Sequence, residues 1–129
     1  MNKEQLLKLI NSLKIDKKEF YIVSSGSLVL RGIFPDAGDL DMAVSPKGLE
    51  QLKVQFDLES EGDDWFVVND KIECLLKRDF YTREFRPYLC GDVYVQNIYE
   101  YYGQLLASKR EKDKIKIPIV RDYIKKIQK

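Results

Sequence analysis

Histidine is absent from all 129 residues of the chain. Its absence removes His-based zinc sites, Ser-His and Cys-His nucleophile pairs, and imidazole acid–base catalysis together. Any chemistry must rest on carboxylates, hydroxyls, lysines or a bound metal. Cysteine is scarce as well. Cys74 and Cys90 stand far apart, match no metal-ligand spacing and follow no leader-like segment, which predicts a reducing, cytoplasmic setting. No apolar run approaches the roughly 20 residues that span a bilayer, so no membrane partner is expected. Neither sign of charge dominates: 22 basic against 21 acidic residues leave +1, with no global pull toward nucleic acid or acidic lipid. Repeats, linkers and low-complexity tracts are missing too. What remains, 44% hydrophobic and 33% charged, is the composition of one folded domain over residues 1–129.

The apolar pattern divides this domain into short elements. "NKEQLLKLINSLK" opens with Asn2 and Gln5 at capping-box spacing and carries Leu6, Leu7, Ile10 and Leu13 on one helical face. "EFYIVSS", residues 19–25, reads as a buried strand running into Gly26 and Ser27. "SLVLRG" leaves room for a turn or two of helix, "FPDAG" is a loop, and "DLDMAV" is a second strand. Ser45 and Pro46 predict a helix over 46–56. "DWFVV" and "KIECLLK" form an expected hairpin, with Asn69 and Asp70 taking the positive φ of its turn. "DVYVQ", 92–96, adds a short strand. Asn97 and Glu100 predict a capping box for a helix to about Lys109, and a last helix begins at Pro118 with Val120, Tyr123, Ile124 and Ile127 facing inward. The expected fold is α/β (α+β): a mixed sheet of four to five strands flanked by helices, with a core over about 20–96 and C-terminal helices over about 97–129.

Alternation along the second strand turns Asp39 and Asp41 to one face, about 6.5–7 Å apart at Cα, with Leu40 and Met42 on the other. Like charges this close are costly without a cation, water or shared proton. Mg²⁺ or Mn²⁺ relieves them directly, keeping water and phosphate oxygens in its other positions. Upstream, Ser24, Ser25, Gly26 and Ser27 bring backbone N–H groups and a hydroxyl to a helix start, a cradle for an anion. The alternative for the aspartates is a solvated strand face, and for Gly26 and Ser27 an ordinary strand-to-helix turn.

Taken together, "GSLVLRGIFPDAGDLD" resembles the signature of nucleotidyltransferases of the DNA polymerase β superfamily: Gly-Ser, a short helix, then Asp-hydrophobic-Asp on a strand. The resemblance implies a small bacterial-type nucleotidyltransferase that moves a nucleoside monophosphate from an NTP, ATP foremost, to an acceptor hydroxyl, releasing pyrophosphate. It implies Asp39, Asp41 and Glu73 as catalytic metal ligands, Glu73 standing where the family more often has Asp. Asp70 and Asp79 are rivals for that third position. It further implies Ser25, Gly26 and Ser27 as phosphate-binding residues. "REKDKIKIPIV" resembles a stretch of small bacterial members, making Arg110, Lys112 and Asp113 wall or phosphate contacts.

A second reading keeps the fold but not the reaction: a catalytically silent binding or regulatory module acting with a partner protein. Pro35 and Ala37, where many relatives carry Arg and Thr, and the short stretch after Asn97 motivate it. For the transferase, either a second copy or a partner protein completes the acceptor side, or the acceptor is large and brings its own surface; the acceptor is a small molecule, RNA or protein hydroxyl. Arg31, Lys109, Arg110 and Lys112 are alternatively a solvated basic face. Tyr94, Tyr99, Tyr101, Tyr102 and Tyr123 pack the last helices or form an acceptor platform or dimer surface, and Cys74 alternates into the core with Ile72 and Leu76.

Overall fold

The computed structural model describes residues 1–128. Its elements run α1 (Lys3–Ser12), β1 (Phe20–Ile22), α2 (Ser24–Leu30), β2 (Leu40–Val44), α3 (Pro46–Gln55), β3 (Glu59–Gly62), β4 (Trp65–Val67), β5 (Ile72–Leu76), β6 (Tyr88–Cys90), β7 (Val93–Val95), α4 (Ile98–Ala107), α5 (Glu111–Lys114) and α6 (Lys116–Ile127). Single 3₁₀ turns precede β1, at Lys17–Glu19, and follow β5, at Phe80–Thr82.

One seven-stranded mixed sheet, in the order β3-β4-β5-β2-β1-β7-β6, organises the molecule. The α/β expectation holds at this level, but four to five strands is too few. Both missed strands are the outer edges. β3 is exposed along its whole length, and its sequence Glu-Ser-Glu-Gly carries no apolar alternation. An edge strand needs a neighbour on one side only, so its pairing leaves no hydrophobic trace. β6, Tyr88–Cys90, escapes notice because three residues are too few to show a period and only Cys90 packs against the core.

β2 is antiparallel to β1 and parallel to β5, and β1 is parallel to β7. Alternation then gives the sheet two unlike faces. Phe20, Ile22, Leu40, Met42, Val44, Ile72, Cys74, Val93 and Val95 point to one face, where Leu6 and Ile10 of α1, Val29 and Leu30 of α2, and Leu49 and Leu52 of α3 cover them. Ile98, Tyr101 and Leu105 of α4 with Val120 and Ile124 of α6 close around Leu28 of α2 in a second cluster. The other face carries Tyr21, Ala43 and Val23 under Phe80, then Asp41, Glu73 and Leu75, which stay half-buried.

Local signals behave as chemistry dictates at several ends. The α1 capping box forms: Asn2 accepts from Gln5 N–H, and Gln5 reaches back to Asn2 N–H, both at 2.9 Å. Ser45 caps α3 through Gly48 N–H at 2.9 Å, with Pro46 in the first turn. Elsewhere the structure corrects the pattern. β1 stops at Ile22, and Ser24 and Ser25 already belong to α2, because Ser24 turns sharply with φ of 60°. Asn69 and Asp70 have no positive φ; that turn closes by Val68 N–H and Asn69 N–H on the Ile72 carbonyl. The left-handed pair is Asp63 and Asp64, φ 53° and 65°, in the two-residue hairpin between β3 and β4.

Asn97 caps α4 by accepting from Tyr99 and Glu100 N–H, but Glu100 completes no box, since its carboxylate accepts from Gln96 Nε2 at 2.9 Å. α4 ends at Ala107, before the expected Lys109. α6 starts two residues before Pro118, and its Ile127 faces outward, 47% exposed. Among the described residues, no helix is long and apolar enough to cross a membrane.

Candidate active site

β2 and β5 run parallel with Asp41 directly opposite Glu73, on the sheet face that no helix layer covers. Asp39 sits one residue before β2 and is exposed, so it flanks the strand and does not belong to it. The rival acids lie elsewhere: Asp70 is in the β4–β5 turn, and Asp79 beyond β5 pairs with Lys77 at 3.2 Å. A fourth carboxylate joins from β3. The ladder shifts register between Ser60 and Gly62, and Glu61 at the bulge is close enough to raise both the Asp41 and the Glu73 carboxyls. Glu61 is missed by sequence reasoning, because its strand has no pattern and the bulge no signature.

Crowding shows in the proton affinities. Burial pushes the Asp41 carboxyl above its ordinary value, and Asp39 and Glu61 push the same way, while Lys112 and Arg110 pull it back. Burial likewise raises Glu73, followed by Glu61 and Asp41. Lys112 and Arg110, on the far C-terminal segment, therefore lie within electrostatic reach of Asp41. Arg110 Nε is held by Asp113 at 2.8 Å; Lys112 makes no ion pair among the described residues. Asp113 anchors this segment from inside. It is 3% exposed and accepts from Ser108 Oγ at 2.6 Å, with Lys116 Nζ 3.6 Å away. Burial opposes its charge, but Ser108 and Arg110 together hold its carboxyl below the usual range.

The strand-to-helix turn adjoins the acids, as Val23 N–H donates to the Asp41 carbonyl at 3.0 Å. Helix geometry leaves first-turn N–H groups without intrahelical acceptors, and Val23 supplies no side-chain cap. The Ser24 amide finds Gln96 Oε1 at 3.2 Å. The side chains named for the cradle are otherwise engaged. Ser27, 1% exposed, donates its hydroxyl to the Ser24 carbonyl at 2.6 Å. Ser25 is half-buried beside Tyr101, whose hydroxyl burial pushes up to about 12 and Ser25 eases back. Gly26 has a packing reason, since a Cβ there would meet Ile22 Cγ2 at 3.0 Å. What the turn offers an anion is backbone, not hydroxyl.

As a donor set the site is all oxygen, which suits a hard cation such as Mg²⁺. Among the described residues, no three His, Cys, Asp or Glu side chains converge as a metal-binding group. The arrangement suits a cation that takes one or two carboxylates and fills its shell with water and phosphate. The remaining tyrosines divide: Tyr101 is buried, Tyr94, Tyr102 and Tyr123 are half-buried, and Tyr99 is exposed. No family model matches the chain, and neither a curated protein nor a solved structure matches it.

Proposed function

We propose that this chain is a metal-dependent nucleotidyltransferase with a polymerase β-like fold, moving a nucleoside monophosphate from an NTP, ATP foremost, to an acceptor hydroxyl and releasing pyrophosphate. The observation that carries the reading is the pairing of Asp41 with Glu73 on parallel neighbouring strands, beside the strand-to-helix turn. Mg²⁺ or Mn²⁺ held by Asp39 and Asp41, with Glu73 adjacent, would neutralise charge on the triphosphate and acidify the acceptor hydroxyl.

The chain's own residues supply the rest. Backbone amides at the start of α2 donate to phosphate oxygens. Lys112, exposed and unpaired among the described residues, and Arg110 approach the acids from α5 and its entry, where they orient the leaving phosphates. Glu73, whose carboxyl is raised by burial, Glu61 and Asp41, takes the acceptor proton. Holding donor and acceptor in line is the main contribution of such a site. α-Labelled NTPs with Mg²⁺ and a panel of RNA, protein and small-molecule acceptors test the reading. Transfer with pyrophosphate release, lost in Asp41→Asn and Glu73→Gln, is expected; no transfer to any acceptor overturns it.

The silent binding module is favoured by one observation, that no three ligands among the described residues form a metal-binding group. It expects NTP to raise the melting temperature without modification of any acceptor, and turnover defeats it.

A further inference from the structure

At the other end of the same sheet face lies a cleft of about 300 Å³, walled by Tyr21, Phe80 and Tyr81 and lined by Lys18, Arg83 and Arg86. Tyr21 pairs with Ala43, two residues along β2 from Asp41, so this cleft and the acidic pair are separate stations on one surface. Their charges are opposite. No carboxylate residue lines the cleft, and among the described residues none of Lys18, Arg83 and Arg86 pairs with an acid. Glu19, nearest in sequence to Lys18, is buried and occupied, accepting from Ser45 Oγ at 2.6 Å and from the Tyr81 hydroxyl.

Arg83 is the fixed member of the three. Its guanidinium carbon lies 4.5 Å from the Phe80 ring centre and 5.7 Å from that of Tyr21, and one terminal nitrogen donates to the Phe80 carbonyl. Its Nε is buried and has no acceptor. An orphaned buried donor on a clamped arginine is costly, and three unpaired cations around one cavity repel. An anion in the cleft relieves the repulsion and leaves the terminal guanidinium nitrogens of Arg83 and Arg86 to hold it. A phosphate monoester carries about −1.5 to −2 at neutral pH and matches the planar fork of arginine, which a carboxylate answers with half the charge. Tyr81, 64% exposed at the rim, offers a ring face for a planar group, and 300 Å³ is at the small end of ligand sites.

We propose that this cleft binds a phosphate monoester joined to a planar aromatic group, of the nucleoside monophosphate class. The site is independent of the transfer reaction and needs no metal. Calorimetric titration of the full chain with adenosine 5′-monophosphate in EDTA tests it, alongside adenosine and ribose 5-phosphate. Adenosine 5′-monophosphate binds, and Lys18→Gln and Arg86→Gln, both at exposed positions, each weaken it about tenfold, as loss of a charge-assisted hydrogen bond implies. Arg83→Lys keeps the charge and weakens it too, because the fork is lost. Adenosine binds at least tenfold more weakly.

Absence of binding, or unchanged affinity in all three variants, overturns the site. Loss of binding in Asp41→Asn with the cleft variants unaffected overturns it as well, because the phosphate then sits at the acidic end. Equal affinity for ribose 5-phosphate overturns the aromatic half of the proposal. Failure of nucleotidyl transfer leaves these outcomes untouched, so the two readings fall separately.

Discussion

Replacing Asp41 with Asn should stabilise this fold and, on the proposed reaction, abolish transfer. The Asp41 carboxyl is half-buried, faces Asp39, Glu73 and Glu61, and has no hydrogen-bond donor among the influences on its ionisation. Two residues along an extended chain separate Asp39 and Asp41 by about 6.6 Å. Unit charges at that spacing repel by about 0.6 kcal/mol in water and about 2.5 kcal/mol at an effective dielectric of about 20. Asp39 is exposed, so the lower part of that range applies; relief of the burial cost and of the repulsion from Glu61 adds to it, and the loss of attraction to Lys112 and Arg110 subtracts. A net gain of about 1 kcal/mol corresponds to a rise of about 3–5 °C in Tm for a domain of this size.

The pH dependence has a definite sign. Asp41 and Glu73 have folded-state proton affinities above their ordinary values of 3.8 and 4.5, so near those values the native state holds protons that the unfolded chain has released. The stability they contribute is fully present below the ordinary values and is lost as pH rises through the raised ones. Thermal melts followed by circular dichroism should show Asp41→Asn above the native chain at pH 7.5, with the gap closing below pH 3.8. Mg²⁺ with NTP should raise the native Tm and leave the variant unmoved. A variant that melts at or below the native chain at pH 7.5 would show that the carboxylate is satisfied where it stands, and would refute the reasoning.

Three further outcomes follow from the packing. Asp113→Ala strips the buried Lys116 and Ser108 of their shared partner and should cost about 3–5 kcal/mol in urea unfolding; a loss under about 1 kcal/mol would mean that Lys116 finds water. Gly48→Ala drives a Cβ to 2.5 Å from the Glu19 carbonyl oxygen and should cost about 1–3 kcal/mol, whereas Gly103→Ala in α4, with open space around it, should gain about 0.5–1 kcal/mol. Equal effects at the two glycines would contradict the contact. The Cys74 thiol, fully buried and pushed up to about 11, should resist dithionitrobenzoate until the protein unfolds, while half-buried Cys90 reacts first; two thiols titrating in the native state would refute that burial.

Much of the fold is legible because burial writes a period into the chain. The alternation of "DLDMAV" and "KIECLLK" correctly sorts Leu40, Met42, Ile72 and Cys74 from Asp41 and Glu73, and Asn2 and Ser45 mark helix starts by the bonds they make. The edges β3 and β6 are illegible, since β3 is wet on both faces and β6 is only three residues long, too short to show a period. The turn at Asn69 and Asp70 misleads because residues that tolerate positive φ need not adopt it, whereas Asp63 and Asp64 do. At the candidate site, a hydroxyl that suits a phosphate in sequence is spent inside the fold: Ser27, buried, donates to the Ser24 carbonyl of its own helix.

By itself the sequence determined which strand residues face the core, that Asp39 and Asp41 are close along the chain, and which chemistries a chain without histidine must forgo. Only the tertiary structure decided that Asp41 stands opposite Glu73, that Glu61 at a bulge raises both, and that Lys112 and Arg110 come within electrostatic reach of Asp41. It alone gathered Lys18, Arg83 and Arg86 into one cleft. The reason is physical. Periodicity records only whether a residue meets the core, a local property of its own element. Strand order, register and electrostatic proximity depend on which distant segments become neighbours, and nothing within one element encodes that.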